Sequence, residues 1–156
     1  MKDFTLPYDG YWKKEKLPNY AGLYYVFATK LTSEGNLTGK RLIYIGETDN
    51  IHKRHNGTKE EPKEHEHLQD FKDELKEGEV LRYATSKYEG TEANRKMIEA
   101  AMIYSIKPNV NNKNTVSYND DSICIDINRA ESAFFPYKKI QLTKDEDGNW
   151  KILKLK

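Results

Sequence analysis

The chain has 156 residues, 37% hydrophobic and 33% charged, with a net charge of +1. This suits one folded domain with its own core and excludes a strongly basic nucleic-acid binder. No apolar run approaches the roughly 20 residues of a membrane span, and Met1-Lys2-Asp3-Phe4 lacks the apolar core of a signal peptide. Cys124 is the only cysteine, so an internal disulfide and a cysteine-based zinc site are excluded and the cytoplasm is the expected compartment. Charge is uneven: residues 1–60 carry +3, 61–110 carry −3 and 111–156 carry +1, so any contact with a polyanion is local.

Residues 1–20 mix aromatics with Pro7 and Pro18 and predict an irregular lead-in. Residues 22–29 are rich in β-formers and predict a strand. Residues 41–47 predict a second, and the polar turn of Ser33 to Gly39 makes the pair an antiparallel hairpin. Asp49 or Asn50 can cap a short helix to about His55, stopped by Asn56-Gly57. A second helix is expected from about Glu64 to Lys76, with Leu68, Phe71 and Leu75 on one face. Residues 79–88 predict a third strand. Thr91 can cap a long helix to about Ser105, ended by Pro108. An Asn-rich turn follows (Asn109, Asn111, Asn112, Asn114), then a strand at 122–128. Lys139–Thr143 and Trp150–Leu155 predict a closing hairpin turned by Asp147-Gly148-Asn149. The order is α+β.

Several residues carry possible chemistry. Tyr24 shares a strand face with Gly22 and Val26, and Tyr44 with Leu42 and Gly46. If the hairpin pairs these faces the two phenols can meet, with Gly46 leaving room; strand tyrosines are otherwise ordinary core or rim residues. Arg54, in His52-Lys53-Arg54-His55, is either part of a solvated basic face or a guanidinium fork for phosphate. Glu99 is flanked by Met97, Ile98, Ala100, Ala101, Met102 and Ile103, and a buried carboxylate needs a partner. That partner is either Arg95, four residues back, or a hard cation such as Mg²⁺. His52, His55, His65 and His67 allow a zinc site on paper, though such runs are mostly solvated surface. Cys124 between two isoleucines is most simply core. Phe134 to Lys139 mixes aromatics with two lysines and could touch nucleic acid or pack on the domain.

Taken together, these residues resemble the GIY-YIG nuclease family. The name motif stands as Gly22-Leu23-Tyr24 and Tyr44-Ile45-Gly46, followed by Arg54, Glu99 and the segment Pro108-Asn109-Val110-Asn111. The resemblance spans about residues 20–112. It implies a small antiparallel three-stranded sheet flanked by helices, within 1–112; residues 113–156 lie outside the resemblance and are expected as a β-rich extension packed on the same domain. It also implies one Mg²⁺ (or Mn²⁺) on Glu99, DNA as partner, no membrane role, and hydrolysis of a phosphodiester. Tyr24, Tyr44, Arg54, Glu99 and Asn111 are then the catalytic set. Tyr24 is the expected base and Tyr44 its hydrogen-bonding neighbour, with the reverse open. Asn111 holds the end of the site in register. Gly46, Glu47, His55 and His67 are second-tier substrate contacts.

Two positions depart from the family. Four residues after Arg54, where His or Tyr is common, stands Thr58, and His55 could substitute only with a shifted backbone. After Gly46 stands Glu47, which either repels phosphate or supplies a second metal ligand. These departures keep a second expectation in play: a catalytically weakened module that binds nucleic acid or a protein without cutting. A third is an interaction module whose β tail pairs with another copy.

Overall fold

A computed structural model describes residues 1–113, 117–129 and 135–156. Seven strands form a single mixed sheet: β1 (Lys2–Trp12), β2 (Gly22–Leu31), β3 (Leu37–Thr48), β4 (Glu79–Lys87), β5 (Ile123–Arg129), β6 (Lys139–Lys144) and β7 (Trp150–Leu155). Their order across the sheet is β3-β2-β4-β1-β5-β6-β7. Three α-helices accompany it: α1 (Ile51–Asn56), α2 (Leu68–Asp73) and α3 (Glu92–Ile106). This overturns the small three-stranded sheet flanked by helices. The strands expected for it are present, but they are one end of a larger sheet.

The difference lies in the lead-in, which is the strand β1. Leu6 and Tyr8 point inward and Thr5 and Pro7 outward, which is strand alternation. Over residues 2–8, β1 pairs in parallel with β5, and its antiparallel pairing with β4 begins only at Asp9. Pro7 therefore lies where the ladder is one-sided, and a missing N–H is tolerated there. Through β1 the sheet runs without a break from the first 112 residues into the C-terminal strands.

The local signals that sharpen element ends act as expected. Asn50 caps α1 by accepting from the Lys53 N–H, and Thr91 caps α3 by accepting from Asn94. Lys107 leaves α3 with φ 55° immediately before Pro108. Gly148 sits at φ 80° in the last turn, where a side chain would be strained. The second helix is shorter than its apolar spacing predicts: residues 63–67 are non-helical and α2 begins at Leu68. The cause is His65, whose ring turns into the core and accepts the His67 N–H at 3.0 Å, diverting the backbone. Asn114 and Phe134 lie outside the described residues; Phe135 is fully buried.

Apolar side chains collect on both faces of the sheet. One cluster joins Leu23, Tyr25, Phe27 and Ile45 to α3 and to the C-terminal strands. The other joins Tyr24, Val26, Ile43 and Tyr83 to α1 and α2. Cys124 is buried. Leu6 is fully buried in the first cluster, so Leu6→Ala is expected to cost about 2–5 kcal/mol in urea denaturation. Among the described residues no helix is long and apolar enough to cross a membrane.

Candidate active site

The site forms where β2 and β3 meet the segment after α1. Tyr24 lies opposite Gly46 in the hairpin register. A Cβ at residue 46 would overlap the Tyr24 ring and hydroxyl, so only glycine admits this phenol. The Tyr24 and Tyr44 rings stack with centroids 6.0 Å apart. Their neighbours differ from the simple alternation, because a bulge skips Ile43 between the pairs Val26–Tyr44 and Phe27–Leu42. Ile43 and Tyr44 thus share one cluster, while Leu42 packs in the other. Gly46→Ala is expected to displace Tyr24 and destabilise the fold by about 1–3 kcal/mol. A thermal melt with tyrosine fluorescence checks this.

His65 is the residue that sequence reasoning missed. It is 3% exposed, and its Nε2 lies 2.7 Å from the Tyr24 hydroxyl. Its Nδ1 accepts the His67 N–H, so the ring proton sits on Nε2 and is donated to Tyr24 Oη. Burial and the nearby Arg54 charge push its pKa down to about 2, which keeps the ring neutral. The loop after α1 delivers it: Gly57 bridges to Pro62, and Lys63 N–H bonds the Asn56 carbonyl at 3.1 Å. Gly57 adopts φ 70°, and a Cβ there would overlap the Glu61 carbonyl. The only signal in the sequence was the Lys63-to-His67 run. His67, preferred at first, is half-buried and bonds Asp70 at 3.1 Å, with its ring 5.6 Å from Tyr44.

His55 does not reach the position that Thr58 leaves empty. It is fully buried behind Tyr24, edge-on at 4.5 Å between centroids, and stacks on His65 at 5.0 Å. Neither ring nitrogen has a hydrogen-bond partner among the described residues, and burial lowers its pKa to about 3. His52 bonds the Leu17 carbonyl instead. Among the described residues no group of three or more His, Cys, Asp or Glu is placed to hold a metal ion.

The two phenols lie side by side but differ in burial. Tyr24 is 1% exposed, and its pKa is raised well above 10, mainly by burial and then by Tyr44. Tyr44 is less buried; burial and Glu99 raise it, while its contact with Tyr24 and the Arg54 charge lower it. His65 Nε2–H donates to the Tyr24 hydroxyl, and the Tyr44 ring stacks alongside. Tyr44 is the more exposed end of the pair.

Charged groups surround that end. Arg54 Nη2 donates to Glu66 Oε1 at 2.8 Å. Glu47, on β3, is paired with Arg95, Nε to Oε2 at 3.1 Å, and Arg95 also donates to the Gly90 carbonyl. This resolves two expectations at once. Arg95 is taken by Glu47, so Glu99 has no ion-pair partner among the described residues. Glu99 is held by the Glu47 backbone N–H, and burial together with the Glu47 charge raises its pKa to about 7. Asn111 grips Ile45, between the second tyrosine and its glycine: Oδ1 accepts the Ile45 N–H at 2.8 Å and Nδ2 donates to the Ile45 carbonyl at 2.9 Å. It clamps the edge of β3 and does not point at the phenols.

In comparison with known proteins, the chain matches no family model, no curated protein and no solved structure.

Proposed function

We propose that this chain is a divalent-metal-dependent endonuclease that hydrolyses DNA phosphodiester bonds through a GIY-YIG-type site. The observation that carries this reading is one locus of mutually acting groups, Tyr24, Tyr44, Arg54 and Glu99, with Asn111 fixing the strand between them. Glu99 raises and Arg54 lowers the pKa of both phenols, and Arg54 lowers that of Glu99.

The residues fit a Mg²⁺ or Mn²⁺ ion. Glu99 is a half-buried carboxylate without an ion-pair partner among the described residues, beside a second carboxylate, Glu47, that is paired with Arg95. Mg²⁺ takes one or two carboxylates and keeps its waters, so Glu99 alone is a sufficient protein ligand. When bound, the ion supplies Lewis-acid polarisation of the scissile phosphate and stabilises the leaving oxygen. Arg54 neutralises charge developing on the phosphoryl oxygens. Tyr44, in its phenolate form, takes the proton of the attacking water and becomes the neutral phenol, with Tyr24 stacked beside it. This reverses the roles first expected of the two tyrosines, because Tyr24 is buried and already bonded to His65, whereas Tyr44 is the more exposed phenol. Arg54 already favours the ionised form of both phenols.

A second reading has its own support. Tyr24 is sealed from solvent and Arg54 is occupied by Glu66, which suits a module that binds nucleic acid or a protein without cutting. Cleavage of plasmid and branched DNA with Mg²⁺, wild type against Glu99→Ala, decides between them. Mg²⁺-dependent nicking by the wild type alone supports the nuclease. Equal activity in both proteins removes it, and binding in EDTA with no product over hours favours the module.

A further inference from the structure

The guanidinium assigned to phosphate is already bonded to an anion. Arg54 Nη2 lies 2.8 Å from Glu66 Oε1, and the side chains are 26% and 67% exposed respectively. The carboxylate is thus the outer partner, and an anion arriving from solvent meets it before the arginine. We infer that Glu66 is a specificity-determining residue: its carboxylate occupies the phosphate seat on Arg54, and a substrate binds by exchanging one anion for another. This rests on the proposed role of Arg54.

The strap that carries Glu66 is built for such an exchange. On one side His65 is anchored on Tyr24; on the other His67 is anchored on Asp70. Between two fixed rings, the Glu66 side chain can swing while its backbone stays. His67 Nε2 lies 3.8 Å from the same carboxylate oxygen. Glu66 also acts on the same phenol as Glu99, raising Tyr44, so the carboxylate belongs to this site and not to a remote surface.

The exchange discriminates among ligands. Glu66 makes a single contact with Arg54, whereas a phosphate can accept two parallel N–H bonds from one guanidinium. An exposed ion pair is weak enough to be displaced by such a group. A neutral or weakly anionic ligand gains nothing there and meets the carboxylate as a barrier. The exchange also has a salt signature. Each new phosphate contact on a duplex steepens the slope of log affinity against log salt by about 0.9. In the wild type the contact at Arg54 forms as another ion pair breaks, so it adds little to the slope. With Glu66 neutral it adds its full share.

The test is anisotropy of a fluorescein-labelled 20-base-pair DNA duplex, in EDTA, over a salt series. Glu66→Gln is expected to tighten binding by about five- to tenfold at low salt and to steepen the slope by about 0.9. Glu64→Gln, an equal change of charge at an exposed neighbour without an ion pair, is the control and is expected to change binding by less than about twofold, with the slope unmoved. On an Arg54→Ala background Glu66→Gln is expected to give no more than this control. Equal effects of Glu66→Gln and Glu64→Gln, or weaker binding by Glu66→Gln, overturn the inference. If Arg54→Ala weakens binding while Glu66→Gln fails to tighten it, only the role of Glu66 falls. If Arg54→Ala changes nothing, or no variant binds the duplex, the phosphate role of Arg54 falls as well.

Discussion

Glu99→Gln is expected to remove metal-dependent cleavage by about a thousandfold or more and, in EDTA at pH 8.5, to raise thermal stability. Both effects come from the same carboxylate. In the folded protein its pKa is raised from 4.5 to about 7, chiefly by burial and by Glu47. Between those values the folded state holds a proton that the unfolded chain releases. Stability therefore falls as pH rises through that window and stays reduced above it. Glutamine cannot ionise and escapes this loss. His55 and His65 act in the opposite direction, because their lowered pKa values make acid destabilising below their ordinary range. The measurement is therefore the difference in Tm between variant and wild type, which cancels the histidines. It should be near zero at pH 5 and positive at pH 8.5. Adding Mg²⁺ at pH 8.5 should raise the wild-type Tm and leave the variant unmoved. Full cleavage by Glu99→Gln, or a Tm difference that ignores pH, contradicts the account.

Tyr44→Phe and Tyr24→Phe should separate cleanly. Tyr44 is the more exposed phenol and the proposed base, so its loss is expected to lower kcat by about 10²- to 10⁴-fold with little effect on stability. Tyr24→Phe leaves the buried Nε2–H of His65 without an acceptor, at about 1–3 kcal/mol. Its cost in rate should be smaller, about tenfold, since it only supports Tyr44. Single-turnover cleavage and urea denaturation of both variants check this. A larger rate loss for Tyr24→Phe returns the base to Tyr24.

The parts of this protein that were legible in its sequence are those set by neighbours in the chain. Asn50 and Thr91 mark helix starts because a short polar side chain satisfies an N–H three residues on. Gly46 marks a close approach because nothing else fits against a ring. The sheet was not legible, because β1 finds its partners at Thr85 and Ile123, and Pro7 hides an otherwise plain alternation. His65 was hidden for a similar reason. Its burial depends on the turn between Gly57 and Pro62, and in the sequence it is one of several histidines among glutamates. Glu99 read correctly as an anomaly, but its partner could not be chosen locally. Arg95 was the obvious candidate, and only the fold brings Glu47 to claim it.

The central place of β1 also bears on how the chain reaches its native state. A ribosome releases residue 2 long before residue 123, so the strand that joins the two halves must wait for both. The β2–β3 hairpin can close early, since its register needs only a short loop, whereas the docking of β1 belongs to the slow, non-local class of contacts. Until β5 emerges, a length of apolar strand lies open to other chains, and nascent copies crowded on one message are exposed to mispairing at that edge.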